Sequence, residues 1–315
     1  MTPLGSGAVA RVSADITRDQ FVWSFDANAR PVLSVDPGAV LRIETNDCFQ
    51  GQVQTEADVP GTYDTSRVNA ATGPIEVRGA QVGDTLAVQL LEINPGPRGA
   101  AVLTPGQGQL GHLIPRPTTR ILEVDGDTVR LGPHIAFAAR PMLGVIGVSP
   151  AHGQVPTLDA GPHGGNLDDN LNGPGATVLL PVRQPGAMLA IGDMHAAMGD
   201  GEICGTGVEV AGDVLLRVDL LPRQQSHWPI TVLADSWVTH GTAVEDLTAA
   251  VDAACQEAGK LLVDEWGFSV EDAFVFLSVA CDVGIAQAVH PCPGTVIARV
   301  RVPRIAACPN PFRPR

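Results

Sequence analysis

Apolar residues recur at every second position through much of this chain. Phe21, Trp23 and Phe25 do so first. From residue 40, Val40, Arg42, Glu44 and Asn46 interleave with Leu41, Ile43 and Thr45. That period sends successive side chains to opposite faces of an extended backbone, so it predicts half-buried strands rather than helices. Residues 73–93, GPIEVRGAQVGDTLAVQLLEI, read as two strands with Gly83-Asp84 turning between them. Residues 119–131 read as a hairpin turning at Asp125-Gly126. The run IAFAARPMLGVIGVSP is continuously apolar and is expected to be buried; 178–181, 187–191 and 208–221 continue the β pattern. The chain carries 35 Gly and 26 Pro, enough to punctuate many short strands. Residues 50–73 and 94–118 are expected to be long loops, and His112 is read as a surface residue of the second.

Helical periodicity comes late. Val244, Leu247, Val251, Cys255, Ala258, Leu262 and Trp266 are spaced by three and four, predicting an amphipathic helix over 242–266 opened by a Thr242/Glu245 capping box. Ser269 and Asp272 open a second helix through Phe274, Leu277 and Cys281, and a final strand is expected over 294–302. The fold class is therefore mainly β: packed, sandwich-like β-sheets with a C-terminal helical hairpin as an α+β element. A single domain over residues 1–315 is expected, with a β-rich core over 1–225 and an α+β part over 226–315.

A chain of 315 residues with 44% apolar and 17% charged content can bury a sizeable core. Its net charge of −14 argues against nucleic acid as a partner. No apolar run reaches the ~20 residues of a membrane helix, and the N-terminus has no basic-then-apolar signal pattern. Cysteines 48, 204, 255, 281, 292 and 308 form no C-x-x-C pair. Free, reduced thiols in a cytoplasm are the expectation.

Chemistry concentrates in two clusters. Residues 192–209, GDMHAAMGDGEICGTGVE, carry Asp193 and His195 at i and i+2, on one face of an extended backbone. Gly199 and Gly201 allow a sharp turn, after which Glu202 and Glu209 return two carboxylates. Residues 161–168, GPHGGNLD, bring His163, Asn166 and Asp168 around paired glycines. Asp47, at the end of a predicted strand, is a third candidate, with an Asx turn as its structural alternative. A carboxylate beside an imidazole suits a divalent metal or an acid–base pair.

The stretches HGGNLD (His163 to Asp168), LPV (Leu180 to Val182) and GDMHAAMGDGE (Gly192 to Glu202), with GPIEVRGAQVGDTLAVQL (Gly73 to Leu90) and PMLGVIGVSP (Pro141 to Pro150), together resemble the acetamidase/formamidase family. They run in order through most of the chain. The resemblance implies hydrolysis of a small carboxamide to carboxylate and ammonia by a β-rich, metal-binding homo-oligomer, a dimer or larger.

The residues themselves narrow the chemistry. Ser–Ser–Lys and Glu–Lys–Cys amidase mechanisms need a lysine. Lys260 is the sole one, turned roughly 200° from Ala258 on the apolar helix face. No Gly-x-Ser-x-Gly elbow is present, and Ser149 precedes a proline in an apolar run. Carboxylates and histidines remain. Asp47, His163, Asp168, Asp193, His195 and Glu209 are candidate metal ligands. Zinc is favoured if imidazoles ligate, and calcium suits a carboxylate-only set. Glu202 is the candidate general base, with Asp193 and His195 in the same catalytic centre. Gly164, Gly165 and Asn166 are candidate substrate-binding residues, the glycine backbone as oxyanion donors. Two alternatives stay open: a non-enzymatic binding protein in which the metal only staples loops, and a hydrolase of a larger amide with Cys204 as nucleophile.

Overall fold

The computed structural model describes residues 11–223, 226–291 and 294–312. A nine-stranded sheet forms the backbone of the molecule. Strands Val40–Thr45, Gly212–Leu221, Thr85–Pro95 and Thr177–Pro181 lie side by side in it. It continues through Ile230–Val232, Ser236–Val244 and Thr295–Pro303 to an edge strand, Asp282–Gln287. A seven-stranded sheet packs against one of its faces, with Gly164–Asn166, Met142–Gly147, Leu189–His195 and Ala71–Val77 adjacent in that order. A four-stranded sheet carries the hairpin of Thr118–Asp125 and Thr128–Leu131.

Strand alternation divides the apolar residues between two cores. In Thr85–Pro95, Leu86, Val88 and Leu90 enter the core between the sheets, while Ala87 faces the helices. In Thr177–Pro181, Val178 and Leu180 take the first side and Leu179 the second. Two helices cover that second side: α1 (Leu247–Lys260) and α2 (Val270–Ala280), joined by a π-helical turn over Leu261–Glu265. Gly241 lets α1 come down onto the sheet, because a Cβ there would collide with the main chain at Ala250 and Ala254.

The mainly-β sandwich with a late helical pair is what the alternation predicts. Five local expectations are corrected. Helix α1 begins at Leu247, not Thr242; residues 242–244 complete a strand, and Asp246 is the N-cap, accepting from Ala249 N–H. Its buried stripe is Ala250, Ala254 and Ala258, small residues that fit the close approach of helix to sheet. Residues 94–118 hold a strand, Arg98–Leu103, because they pair with Thr118–Asp125. Strands 71–77 and 85–95 fall in different sheets, so Gly83-Asp84 begins a crossing between layers instead of closing a hairpin. The apolar run splits: Met142–Gly147 is buried, whereas Ile135–Ala138 is an exposed edge strand. The Ser269 cap on Asp272 N–H forms as expected. The expected C-terminal part also shares the large sheet with the β core, since Ile230–Val232 pairs with Thr177–Pro181.

Candidate active site

The site forms where strand Leu189–His195 ends. Asp193 and His195 leave it on one side, with His195 Nε2 3.7 Å from Asp193 Oδ2. The chain then loops out and returns antiparallel to itself: Ala196 N–H donates to Val208 O, and Val210 N–H donates to Met194 O. This return sets Glu209 directly across from His195, with Oε2 3.0 Å from Nε2. At the tip of the excursion Gly201 and Glu202 both take left-handed backbone conformations (φ 89° and 44°), and Glu202 Oε1 stands 4.0 Å from the same Nε2. Asp168 arrives from beyond strand Gly164–Asn166, its N–H donating to Gly144 O. Gly144 is required here, because a Cβ would occupy the space in which the carboxylates of Asp168 and Asp193 meet.

Asp168, Asp193, Glu202, Glu209 and His195 are all buried. Fully ionised, the carboxylates carry four negative charges against one on the imidazole, which a low-dielectric interior does not tolerate. Burial first, then the neighbouring Asp193, pushes Asp168 up to about 8. Burial and then Glu209 push Asp193 up to about 7. Burial, followed by the charge of Asp168, drives Glu202 and Glu209 well above the usual carboxylate range. Asp168 Oδ1, Asp193 Oδ1, His195 Nε2 and Glu209 Oε2 have no hydrogen-bond partner among the described residues. The 3.0 Å approach of His195 to Glu209 has the distance of a hydrogen bond but not its geometry. Buried lone pairs converging in this way fit a cation. Ligand atoms of Asp168, His195 and Glu202 lie within 4.8 Å of one another, as do those of Cys48, Asp193 and Glu209. The molecule thus carries possible metal-binding clusters of a composition suited to a divalent ion.

Cys48 was not legible as part of this group. Its neighbour Asp47 instead turns its carboxylate back on the loop, accepting from Phe49 and Gly51 N–H in an Asx turn. Burial, and then Glu209, hold the Cys48 thiol well above its ordinary range. His163 is not brought into the cluster. Its ring packs edge-on to Phe25 at 5.0 Å, and burial lowers its pKa to about 4. Gly164 and Gly165 sit in a strand flanked on both sides, so their main-chain groups serve the sheet and not an oxyanion. Asn166 stands in the wall of the cavity on the carboxylates, where it donates to Asp168 Oδ2 at 2.6 Å and accepts from Asn69 Nδ2 at 3.0 Å. A cavity of about 350 Å³ opens on the carboxylates, with Cys48, Asn69, Gln107 and Leu158 also in its wall.

Other nucleophile candidates lie outside this arrangement. Ser149 is buried and donates to Asp26 O. Cys204 donates to Thr206 O at 3.4 Å. Lys260 pairs with Glu257 on α1, on the far side of the large sheet. Cys292 lies outside the described residues. Among the described residues no helix is long and apolar enough to cross a membrane.

The sequence pattern of the Acetamidase/Formamidase family matches residues 17–161 and 153–305. The solved structure of an acetamidase from Bacillus halodurans superposes with a TM-score of 0.88 at 37% identity, covering 92% of this chain and 97% of that one. An acetamidase of Mycolicibacterium smegmatis is 26% identical over 86% of this chain and 89% of its own length. A Schizosaccharomyces pombe relative is 27% identical, and there the match spans 61% of the relative's length.

Proposed function

Because the chain belongs to the acetamidase/formamidase family, we propose that it hydrolyses a small linear carboxamide, of the formamide or acetamide kind, to carboxylate and ammonia. The observation that carries this reading is the convergence of four buried carboxylates on one small cavity, with unpartnered atoms on Asp168, Asp193, Glu209 and the adjoining His195. Asp168, Asp193, His195 and Glu209, with Cys48 in reach, are the residues that would hold a divalent ion. The imidazole and thiol favour zinc over calcium. Asp47 is left out of this ligand set because its carboxylate is held in the Asx turn, and His163 because its ring is not among the ligand atoms that converge.

When bound, such an ion lowers the pKa of a water and polarises the amide carbonyl. The protein's own groups do the rest. Glu202 takes a proton from the attacking water as its oxygen bonds to the carbonyl carbon. The same carboxyl gives that proton to the nitrogen as the C–N bond breaks, so amide and water leave as carboxylic acid and ammonia. Burial and the neighbouring carboxylates raise the proton affinity of Glu202, which suits the second of these steps. The cavity lies at the small end of ligand pockets, which supports a short substrate.

The working unit is a homo-oligomer. Helix α2 leaves Val270, Phe274, Val275 and Val279 exposed next to the edge strand Asp282–Gln287, a surface suited to a second copy of the chain. Free thiols among the described residues suit a reducing cytoplasm, and the net charge of −14 does not suit nucleic acid.

Ammonia release from formamide and acetamide tests the reading, together with loss of release on chelation and recovery when metal returns. Glu202→Gln is expected to keep its metal and lose turnover by at least ~100-fold. Normal turnover in that variant would remove Glu202 as the base.

A further inference from the structure

We propose that Asn69 is the residue that recognises the unsubstituted nitrogen of the substrate, its Oδ1 accepting an N–H from the amide that is cleaved. The proposal rests on the amide-hydrolase reading above and deepens it.

Asn69 is 1% exposed and lies in the wall of the cavity that holds Asp168, Asp193, Glu202 and Glu209. Its backbone is left-handed, φ 62°, and its N–H donates to Cys48 O at 2.7 Å, which fixes it beside the cluster. The side-chain amide is oriented by two acceptors. Nδ2 donates to the main-chain carbonyl of Thr157 at 3.2 Å and to Asn166 Oδ1 at 3.0 Å. A main-chain carbonyl can only accept, so nitrogen and oxygen cannot be exchanged without setting oxygen against oxygen. Both amide hydrogens are then committed. Oδ1 is left buried, with no hydrogen-bond partner among the described residues.

A buried acceptor of this kind is costly to the fold unless something donates to it. Asn166, whose Oδ1 accepts from Asn69, turns its own Nδ2 to Asp168 instead. A small amide offers one acceptor, its carbonyl oxygen, and one donor, its NH₂. The carbonyl oxygen is the atom to be polarised, so the NH₂ is the group free to meet Oδ1. An ester of the same size has no N–H to give. A site built to hydrogen-bond one group discriminates strongly against the analogue that lacks it. The residue therefore selects amides with an N–H over the corresponding esters, and holds the leaving nitrogen where it can be protonated.

The test compares acetamide with methyl acetate in wild type, Asn69→Gly and Asn69→Asp, with metal content measured in each. Glycine keeps the left-handed backbone and removes the acceptor. Asp keeps an oxygen in the same place and tolerates that backbone, and only as the neutral acid does its second oxygen still offer a hydrogen to Thr157 O or Asn166 Oδ1. The ester is read as a substrate or, if it is not cleaved, as a competitive inhibitor. The expected result is a fall of about ten- to hundredfold in the preference for amide over ester in Asn69→Gly, with metal and ester binding retained. Asn69→Asp should recover part of that preference. An unchanged preference in a folded, metal-loaded Asn69→Gly overturns the proposal, whether both substrates survive or both decline together. The second of those outcomes would make Asn69 only a prop for Asn166 and Asp168. If Asn69→Gly does not fold, Asn69→Ala takes its place, and an unchanged preference in the folded, metal-loaded Asn69→Ala overturns it as well. Wild-type protein that releases no ammonia from any short amide overturns the functional reading itself, and this inference with it.

Discussion

His163 carries a ring nitrogen, Nε2, that is buried without a partner among the described residues, and burial lowers its pKa from 6.5 to about 4. The unfolded chain therefore binds more protons than the folded one between those values. The stability that the neutral ring allows is present above pH 6.5 and is lost as pH falls towards 4. The shift corresponds to about 3 kcal/mol. Urea unfolding of wild type and His163→Leu at about pH 7 and about pH 4.5 should give a stability difference that moves in the variant's favour at the lower pH by up to that amount. A difference independent of pH would show that the ring takes up its proton alike in both states, so that burial does not shift it. In the sequence His163 looked like Asp193 and His195: an imidazole near glycines and a carboxylate. What separated them was direction. The two-residue spacing of Asp193 and His195 leads to a common face even though Asp193 itself departs from the extended backbone (φ 53°), whereas the GPHGG turn fixes none. Asp47 and Cys48 make the same point at a strand end, where the chain leaves its pleat. The carboxylate turned into an Asx cap and the thiol turned to the site. Asn69 stands in an irregular polar stretch, so no periodicity could have marked it.

The elements that carry the site are tied together from outside it. In strand Thr295–Pro303, Val296, Ala298, Val300 and Val302 face the helices, so Arg299 points the other way. Its guanidinium binds Asp169 through Nη1 and grips both oxygens of Asp200 at 2.9 Å through Nη2. Asp169 also holds His240 Nε2 at 2.8 Å. Asp169 follows Asp168, and Asp200 precedes Glu202 by two residues. One arginine of the large sheet thus clamps the two loops of the other sheet that bear site carboxylates. Arg299→Met leaves Asp169 buried with less than its full set of partners and should cost about 3–5 kcal/mol. It should also weaken metal retention during dialysis, with Arg299→Lys between it and wild type because lysine lacks the planar fork. Unchanged metal affinity in Arg299→Met would mean that the loops hold their shape unaided. None of this network was legible beforehand, because its members are separated by up to 130 positions in the chain. The strands that carry it were legible from alternation, and α2 from its Ser269 cap. The start of α1 was misplaced because residues 242–244 fit a helical stripe as well as a strand, and pairing with Thr295–Ile297 decided for the strand.

At the scale of the molecule, the two-layer sandwich covered by helices leaves its border at Asp282–Gln287 unfinished. Strand Asp282–Gln287 closes the large sheet on one side only. Val283 stands opposite Val300 and Ile285 opposite Ala298, residues of the helix-side core, so this edge presents its apolar side chains on the face where α2 lies. Phe274 and Val279 of α2 are each 75% exposed, and Val283 is 54% exposed. An edge strand beside an apolar helix face invites pairing, and natural sheets guard such edges with charge or cover them. Here the edge strand carries a single charge, Asp282, so cover by a second copy is the remaining device. A two-fold axis through the edge would set the strands of two chains antiparallel and bring the two α2 faces together, while Gln287, at the end of the edge strand, reaches the wall of the carboxylate cavity. Sedimentation of the wild-type protein at micromolar concentration should therefore give a dimer or a multiple of it. Phe274→Glu places like charges across the axis and should release monomers. Ammonia release per chain should stay within about twofold, because α2 contributes nothing to the cavity wall. A wild type that sediments as a monomer would refute the contact. A Phe274→Glu variant that stays dimeric would move the interface to another face. Dissociation accompanied by loss of turnover would mean instead that the site depends on the assembly, through the bridge between Gly201 and Gln287, which joins the Glu202 turn to this same edge strand.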